Sequence, residues 1–373
     1  MPRLVAAALV LLAVACGAPD ERPADAPPVD RQALLDGLVT GPDRLAPGAT
    51  AYVSGPNGTW LGAAGVADVE TGEPMRPDAR MRLESVSKIY TAAVLVRLEQ
   101  DGVLSLEDTV ERWLPGLLPY GERITVRQLL TMTSGLVDNN DMVRSPESYI
   151  ADVGDPALRK RVRQLAARVA KDPALDFSPV WWIRLAAWQP LLFEPGEGFH
   201  YSNIGYEVLG LVAARAAGTP IGALYGELIV EPLGLRGTAY DPGGPIAGPH
   251  ARGYALDGGE TIDATAVHPG VGAEGGIVAN AEETAAFLTA LMQGRIVDAR
   301  GVEELRGPAL WKNGVATGCA GSAYGWSGGG QGYKTNVWVS ADGSRVAVLL
   351  LNGRAAGGDA AAQAALARLY CGA

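Results

Sequence analysis

The chain has 373 residues, 48% of them hydrophobic, and a formal net charge of −10. That is enough apolar material for one large or two medium globular domains. The acidic balance excludes a general nucleic-acid binder, which needs a basic face to release counterions. The one basic cluster, Arg159-Lys160-Arg161-Val162-Arg163, reads as the solvated face of a helix.

The N-terminus carries a basic residue, Arg3, and then an apolar run from Leu4 to Ala15. The run is too short to span a bilayer and has the form of a signal peptide over residues 1–15. Ala13-Val14-Ala15 has the small-x-small pattern of a cleavage site. With Cys16 it also resembles a bacterial lipobox, in which Cys16 would carry lipid. Ala13 stands where that motif usually has Leu, so lipid anchoring on the outer face of the cell membrane and simple secretion both stay open. Residues 16–30, rich in Pro and charge, read as a flexible tether with little to bury. The folded domain is expected over 31–373. If Cys16 is lipidated, Cys319 and Cys371 remain, and outside the cytoplasm two thiols tend to pair. Two separate buried thiols are the alternative.

Along the domain, Gln32–Val39 has a helical pattern, and two alternating runs flank Gly55-Pro56-Asn57-Gly58, which reads as a hairpin. A short strand is expected through Met81-Arg82-Leu83. From about 104 to 265 the pattern is mostly helical, cut by Pro and Gly, with segments such as Val126–Thr131, Leu158–Val169 and Gly205–Ala217. A further helix is expected over Glu282–Met292. Strands return at Lys334–Val339 and Arg345–Leu351 around an Asp342-Gly343 turn, and a helix over Ala360–Leu369 closes the chain. Strands at both ends and helices between them predict an α+β fold, with an antiparallel sheet from the two chain ends and an inserted helical lobe. A cleft between such lobes suits a site. In the stretch from 138 to 194, Trp181, Trp182 and Trp188 are read first as core and second as cleft lining.

One detail does not belong to an ordinary helix. Ser85 and Lys88 sit three residues apart where the run Arg82–Gly102 begins, so both lie on one helical face. A serine hydroxyl needs a base to become a nucleophile. Burial and the positive end of a helix both disfavour an ammonium ion, which predicts that Lys88 titrates low enough to accept the proton. The N–H of Ser85 is a candidate oxyanion donor. Ser87 is the nearby competitor, but Tyr90, not a lysine, holds its i+3 position. A second triplet, Tyr201-Ser202-Asn203, precedes an amphipathic helix. Its phenol could relay protons and its amide could bind a carbonyl or orient the lysine; Asn203 as a helix N-cap is the bland reading. Gly325-Trp326-Ser327-Gly328-Gly329 matches a G-x-S-x-G elbow, but a strand rather than a helix is expected after it, and no histidine follows His268. The three histidines show no metal-ligand spacing.

Together these residues resemble the serine β-lactamase-like, penicillin-binding family that holds D-alanyl-D-alanine carboxypeptidases and class C β-lactamases. The similar stretches are ESVSKIYTAAVLVRLEQDGVLSLEDTVERWLP, ITVRQLLTMTSGL, FEPGEGFHYSNIGYEVLGLVAARAAG, GGIVANAEETAAFLTALMQG and YGWSGGGQGYKTNVWVSADGSRVAVLLLNG, in the family's order from about residue 31 to the end. The resemblance implies a β-lactamase/transpeptidase-like fold without a cofactor or metal. It implies an exported serine hydrolase that forms an acyl-enzyme on Ser85, with Lys88 accepting its proton and Tyr201 handling protons thereafter. Asn203 would bind the substrate amide. Trp326-Ser327-Gly328 would stand in for the usual His-Thr-Gly or Lys-Thr-Gly, with Ser327 on a substrate carboxylate and the N–H of Gly329 as second oxyanion donor. Cys319 and Cys371 fit a disulfide of the exported peptidase branch. The implied substrates are small peptides, amides or esters, including peptidoglycan stem peptides and β-lactams. Trp326 carries no charge, which puts recognition of a C-terminal D-alanine in question and brings esterases and amidases of the family forward. A non-catalytic penicillin-recognising protein is the other alternative.

Overall fold

A six-stranded antiparallel sheet made from both ends of the chain frames the molecule. The computed structural model describes residues 29–144, 179–243, 245–257, 260–265, 272–306, 312–316, 322–330, 332–355 and 357–372, with helical residues at 156–157, 159–160, 163–164 and 167. The expected signal peptide, Cys16, nearly all of the tether, Cys319 and much of the expected 158–169 helix lie outside these residues.

In chain order the strands are β1 (Gly48–Gly55), β2 (Gly58–Gly65), β3 (Met81–Arg82), β4 (Ala239–Tyr240), β5 (Tyr254–Asp257), β6 (Glu260–Asp263), β7 (Ile277–Ala279), β8 (Lys312–Ala316), β9 (Ser322–Gly329), β10 (Lys334–Ser340), β11 (Val346–Leu351) and β12 (Gly353–Ala355). The main sheet runs β2-β1-β11-β10-β9-β8. Pro56-Asn57 makes the β1–β2 turn, with Gly55 opposite Gly58. The β10–β11 hairpin turns through Asp342-Gly343, where Gly343 has φ +69° and the Asp342 carboxylate accepts from the Ser344 N–H at 3.0 Å.

β11 reads as unbroken apolar sequence because the sheet is covered on both faces. Val346, Val348 and Leu350 enter the larger core, with the helices Ser87–Gln100 and Ala281–Met292. Ala347, Leu349 and Leu351 enter a smaller core with the first and last helices, Arg31–Val39 and Asp359–Cys371. Cys371, at the end of the last helix, is disulfide-bonded.

The Ser87–Gln100 helix is buried on nearly every side, as an apolar run lacking a wide polar stripe requires. It ends at Asp101, before Gly102 at φ +71°. Asn203–Ala217 packs against it, and Val126–Leu130 and Pro179–Ala186 pack in turn on Asn203–Ala217. The expected helical stretch 104–265 needs one correction. Its last part holds three short strands: β4 lies just before the Pro- and Gly-rich segment 242–249, which stops helix formation, and the alternating residues after that segment form β5 and β6. β4 joins β7 and β3 in one small sheet, and β5 and β6 join β12 in another. Of the tryptophans, Trp182 lies in the core, while Trp181 and Trp188 are exposed.

Leu349 is fully buried in the smaller core. Leu349→Ala should lower the unfolding free energy by about 2–5 kcal/mol, read from the urea midpoint, while activity per folded molecule stays unchanged because the larger core holds the site.

Candidate active site

Ser85 lies in a 3-10 turn, Glu84–Val86, that precedes the Ser87–Gln100 helix. The turn is forced into place from both sides. Leu83 N–H donates to Ile277 O at 2.8 Å, and Glu84 adopts φ +52°, a conformation that costs a non-glycine residue energy and is held by its surroundings. On the other side the backbone of Gly328 in β9 presses against the turn. A Cβ at 328 would lie 2.9 Å from Ser85 N and would also strike Leu83 O, so only glycine permits the approach.

The expected residues converge here. Ser85 Oγ shares a 2.7 Å hydrogen bond with Tyr201 OH, and Lys88 Nζ donates to Ser85 Oγ at 3.2 Å. Lys88 Nζ also donates to Asn203 Oδ1 at 2.7 Å. Asn203 is not the helix N-cap; Ser202 is, its hydroxyl accepting from the Gly205 N–H at 3.1 Å. That leaves the Asn203 amide to face the lysine, and its Nδ2 donates to Asn139 Oδ1 at 3.1 Å. In this arrangement Asn203 orients Lys88 and its amide oxygen is already engaged. Ser87 is accounted for elsewhere, since its hydroxyl accepts from the Ile277 N–H at 3.0 Å and fastens β7 to the helix.

The segment Trp326–Gly329 belongs to β9 and is followed by β10, so it is no strand-to-helix elbow. Trp326 and Gly328 point to the nucleophile side of the sheet. The Trp326 indole N–H is buried and, among the described residues, has no hydrogen-bond partner. Ser327 is exposed on the alternate face, and a Cβ at Gly329 would lie 3.5 Å from the Arg354 guanidinium. Lys334, at the start of β10, pairs with Asp359 at 3.0 Å, and Thr335 and Asn336 beside it are buried.

A family model described as Beta-lactamase matches residues 32–371. The chain belongs to the beta-lactamase family. Among its curated relatives, Esterase EstB of Burkholderia gladioli is 37% identical over 179 residues, covering 47% of this chain and 42% of that protein. Penicillin-binding protein 4* of Bacillus subtilis (strain 168) is 30% identical over 174 residues, covering 47% of this chain and 33% of that protein. The matched segments thus span less than half the length of either relative. Among solved structures, a D-stereospecific amidohydrolase from Streptomyces sp. superposes with a TM-score of 0.74 at 25% identity, covering 92% of this chain and 98% of that one. The β-lactamase/transpeptidase-like fold expected from the sequence is the fold observed.

Within this family framework the electrostatics correct the sequence-based expectation for Lys88. Burial does push its ammonium towards a lower pKa, but the Glu274 carboxylate and Tyr201 push the other way and hold it above an ordinary lysine. Glu274 Oε2 accepts from Nζ at 2.7 Å, and the Glu274 backbone oxygen accepts at 2.8 Å. Burial also raises the Tyr201 phenol, despite the neighbouring cation. Both shifts favour the ammonium form of Lys88 and the neutral phenol of Tyr201 beside Ser85.

Three acids here escaped the sequence reading. Asp138 is buried and accepts from the Asn203 N–H at 2.8 Å, fixing the start of that helix. Glu207 accepts from the N–H groups of Gly272 and Ala273 at 2.7 and 3.1 Å, fixing the loop that carries Glu274. Glu274 itself stands one residue before the recognisable stretch GGIVANAEETAAFLTALMQG; a charge set among Gly and Ala was the available signal.

Two predictions follow from the packing around Ser85. Gly328→Ala should cost about 1–3 kcal/mol through overpacking and at least about tenfold in turnover by displacing the Ser85 N–H, read by thermal melting and steady-state kinetics. Glu84 is driven to about 8, first by burial and then by the Glu274 charge, against 4.5 when unperturbed. Between those values the native protein keeps a proton that the unfolded chain has lost, so this group makes stability fall as pH rises from about 4.5 to about 8 and level off above. Glu84→Gln should flatten that fall, measured as unfolding free energy at about pH 5 and pH 9; an unchanged slope would assign it to another group.

Proposed function

We propose that this protein is an exported serine hydrolase that forms an acyl-enzyme on Ser85 and takes uncharged ester or amide acyl donors. The observation that carries the reading is the pair of hydrogen bonds at Ser85 Oγ, one shared with Tyr201 OH at 2.7 Å and one accepted from Lys88 Nζ at 3.2 Å. A hydroxyl held by two proton-handling groups at the start of a buried helix is an activated nucleophile. Ser85 Oγ attacks the substrate carbonyl, and the N–H groups of Ser85 and Gly329 receive the oxyanion. Tyr201 protonates the leaving alcohol or amine, and water then releases the acid.

Trp326 sets the substrate class. Where the family resemblance leads one to expect His or Lys, it places a neutral indole whose N–H is buried. With no positive charge there to meet a substrate carboxylate, esters and amides are favoured over peptides ending in a free D-alanine. EstB, named an esterase, and the amidohydrolase agree with this choice. The second reading, a D-alanyl-D-alanine carboxypeptidase or β-lactamase-type activity, draws on the penicillin-binding relative. The reading of export draws on the apolar leader, on Cys16 as a candidate lipid anchor and on Cys371, which is disulfide-bonded.

The test is turnover of p-nitrophenyl butyrate, nitrocefin and an acylated D-Ala-D-Ala peptide by the purified protein. Ester hydrolysis should dominate. Ser85→Ala should lower it at least about a thousandfold and abolish labelling by a fluorophosphonate, and Tyr201→Phe should lower it about a hundredfold. Peptide hydrolysis exceeding ester hydrolysis would favour the second reading, and undiminished turnover in Ser85→Ala would sink both.

A further inference from the structure

Lys88 Nζ faces four acceptors: Ser85 Oγ, Asn203 Oδ1, Glu274 O and Glu274 Oε2. An ammonium has three hydrogens, and the longest of the four contacts is the one to Ser85, at 3.2 Å. A lysine held in this way has no lone pair to offer the serine. Yet its side chain is fully buried, and Glu274 is only 14% exposed. The Glu274 loop is not a wandering surface feature. Glu207 grips the N–H groups of Gly272 and Ala273, and Gly276 N–H donates back to Gly272 O at 2.9 Å.

We propose that Glu274 is the positioning residue that lets a charged Lys88 work as a base, by taking a proton from Nζ as Nζ takes one from Ser85. The proposal rests on the acyl-enzyme reading above and concerns the proton route within it. As Ser85 Oγ bonds to the substrate carbonyl carbon, the carbonyl π pair moves onto its oxygen. The hydroxyl proton passes to Nζ, one Nζ proton passes to Glu274 Oε2, and the lysine keeps three protons while Glu274 becomes a neutral acid. When the tetrahedral species collapses, Tyr201 gives its proton to the leaving group and recovers one from Lys88. Lys88 recovers one from Glu274, and every group regains its starting charge. In a low-dielectric site the ion pair and its neutral counterpart differ far less in energy than they would in water, so this exchange needs no proton from solvent.

Other groups face this pair. The rings of Tyr201 and Tyr206 lie 5.2 and 5.6 Å from Nζ. The carboxyls of Glu84, Glu207 and Asp138 all sense the Lys88 charge, and Arg82 and Arg354 act on Glu84. Burial drives Glu84 and Glu207 up to about 8 and raises Asp138. Glu274 alone among these acids is bonded to Nζ, in the contacts above.

The experiment is the pH dependence of kcat/KM for p-nitrophenyl butyrate, and of the rate of fluorophosphonate labelling, for wild type, Glu274→Gln and Glu274→Asp. For wild type a plateau from about pH 6 to pH 9 is expected; a rate that keeps climbing about tenfold per pH unit would mean that Lys88 must first lose its proton to solvent, and would overturn the proposal without any variant. Glu274→Gln should fall at least about tenfold at pH 7 and regain rate as pH rises, while Glu274→Asp keeps the wild-type limb at a reduced rate. Unchanged or faster reaction of Glu274→Gln at pH 7 would overturn the proposal, as would a loss that is the same at every pH, which is the mark of a merely structural role. Wild type inert to both ester and fluorophosphonate would overturn the acyl-enzyme reading and the proposal with it. Active wild type with an unaffected Glu274→Gln would remove the proposal alone.

Discussion

A buried ammonium ion organises this molecule. An unpaired charge in the interior is prohibitive, and breaking a buried pair strands one of its members at a cost of several kcal/mol. Lys88 must therefore have acceptors on all sides, and each comes from a different part of the chain. Asn203 opens one helix, Glu274 sits on a loop between strands, and Ser85 lies one turn back on the lysine's own segment. Meeting the needs of this one nitrogen brings together three segments far apart in sequence. The next shell repeats the logic, with Asp138 holding the backbone of Asn203 and Glu207 holding the loop of Glu274.

The contact between β9 and the 84–86 turn is the second constraint. The left-handed Glu84 and the missing side chain at Gly328 bring a strand backbone against a helix start. Two peptide edges that would normally lie apart are thereby brought together beside Ser85. Such a junction is rigid by construction, since the sheet and the central helix behind it are both fully packed.

Much of this was legible in the chain, for reasons that differ from element to element. The Pro56-Asn57 and Asp342-Gly343 turns were readable because hairpins demand particular residues. The Ser85–Lys88 and Tyr201–Asn203 spacings were readable because local geometry fixes which side chains share a face. What escaped were partners with no local signature. Ser202 rather than Asn203 caps its helix, a choice between two good capping residues that tertiary contacts decide. Glu274 lies 186 residues from Lys88, so the charge that reverses the lysine's expected pKa shift is invisible to any reading of the helix alone. The short strands β4 and β5 were hidden because each is held by a partner distant in sequence, β7 and β12, and β6 follows by pairing with its neighbour β5.

The first and last helices pack side by side on the sheet face opposite the Ser85 helix, where the Arg31 guanidinium donates to Gly372 O. The two ends of the folded domain are therefore neighbours, separated from the catalytic side by the thickness of a sheet. Residue 31 itself thus sits on the rear of the sheet, away from Ser85. The same adjacency means that a short linker could join the ends and new termini be opened at the exposed Pro56-Asn57 turn, giving a circular permutant whose reactive centre keeps its geometry.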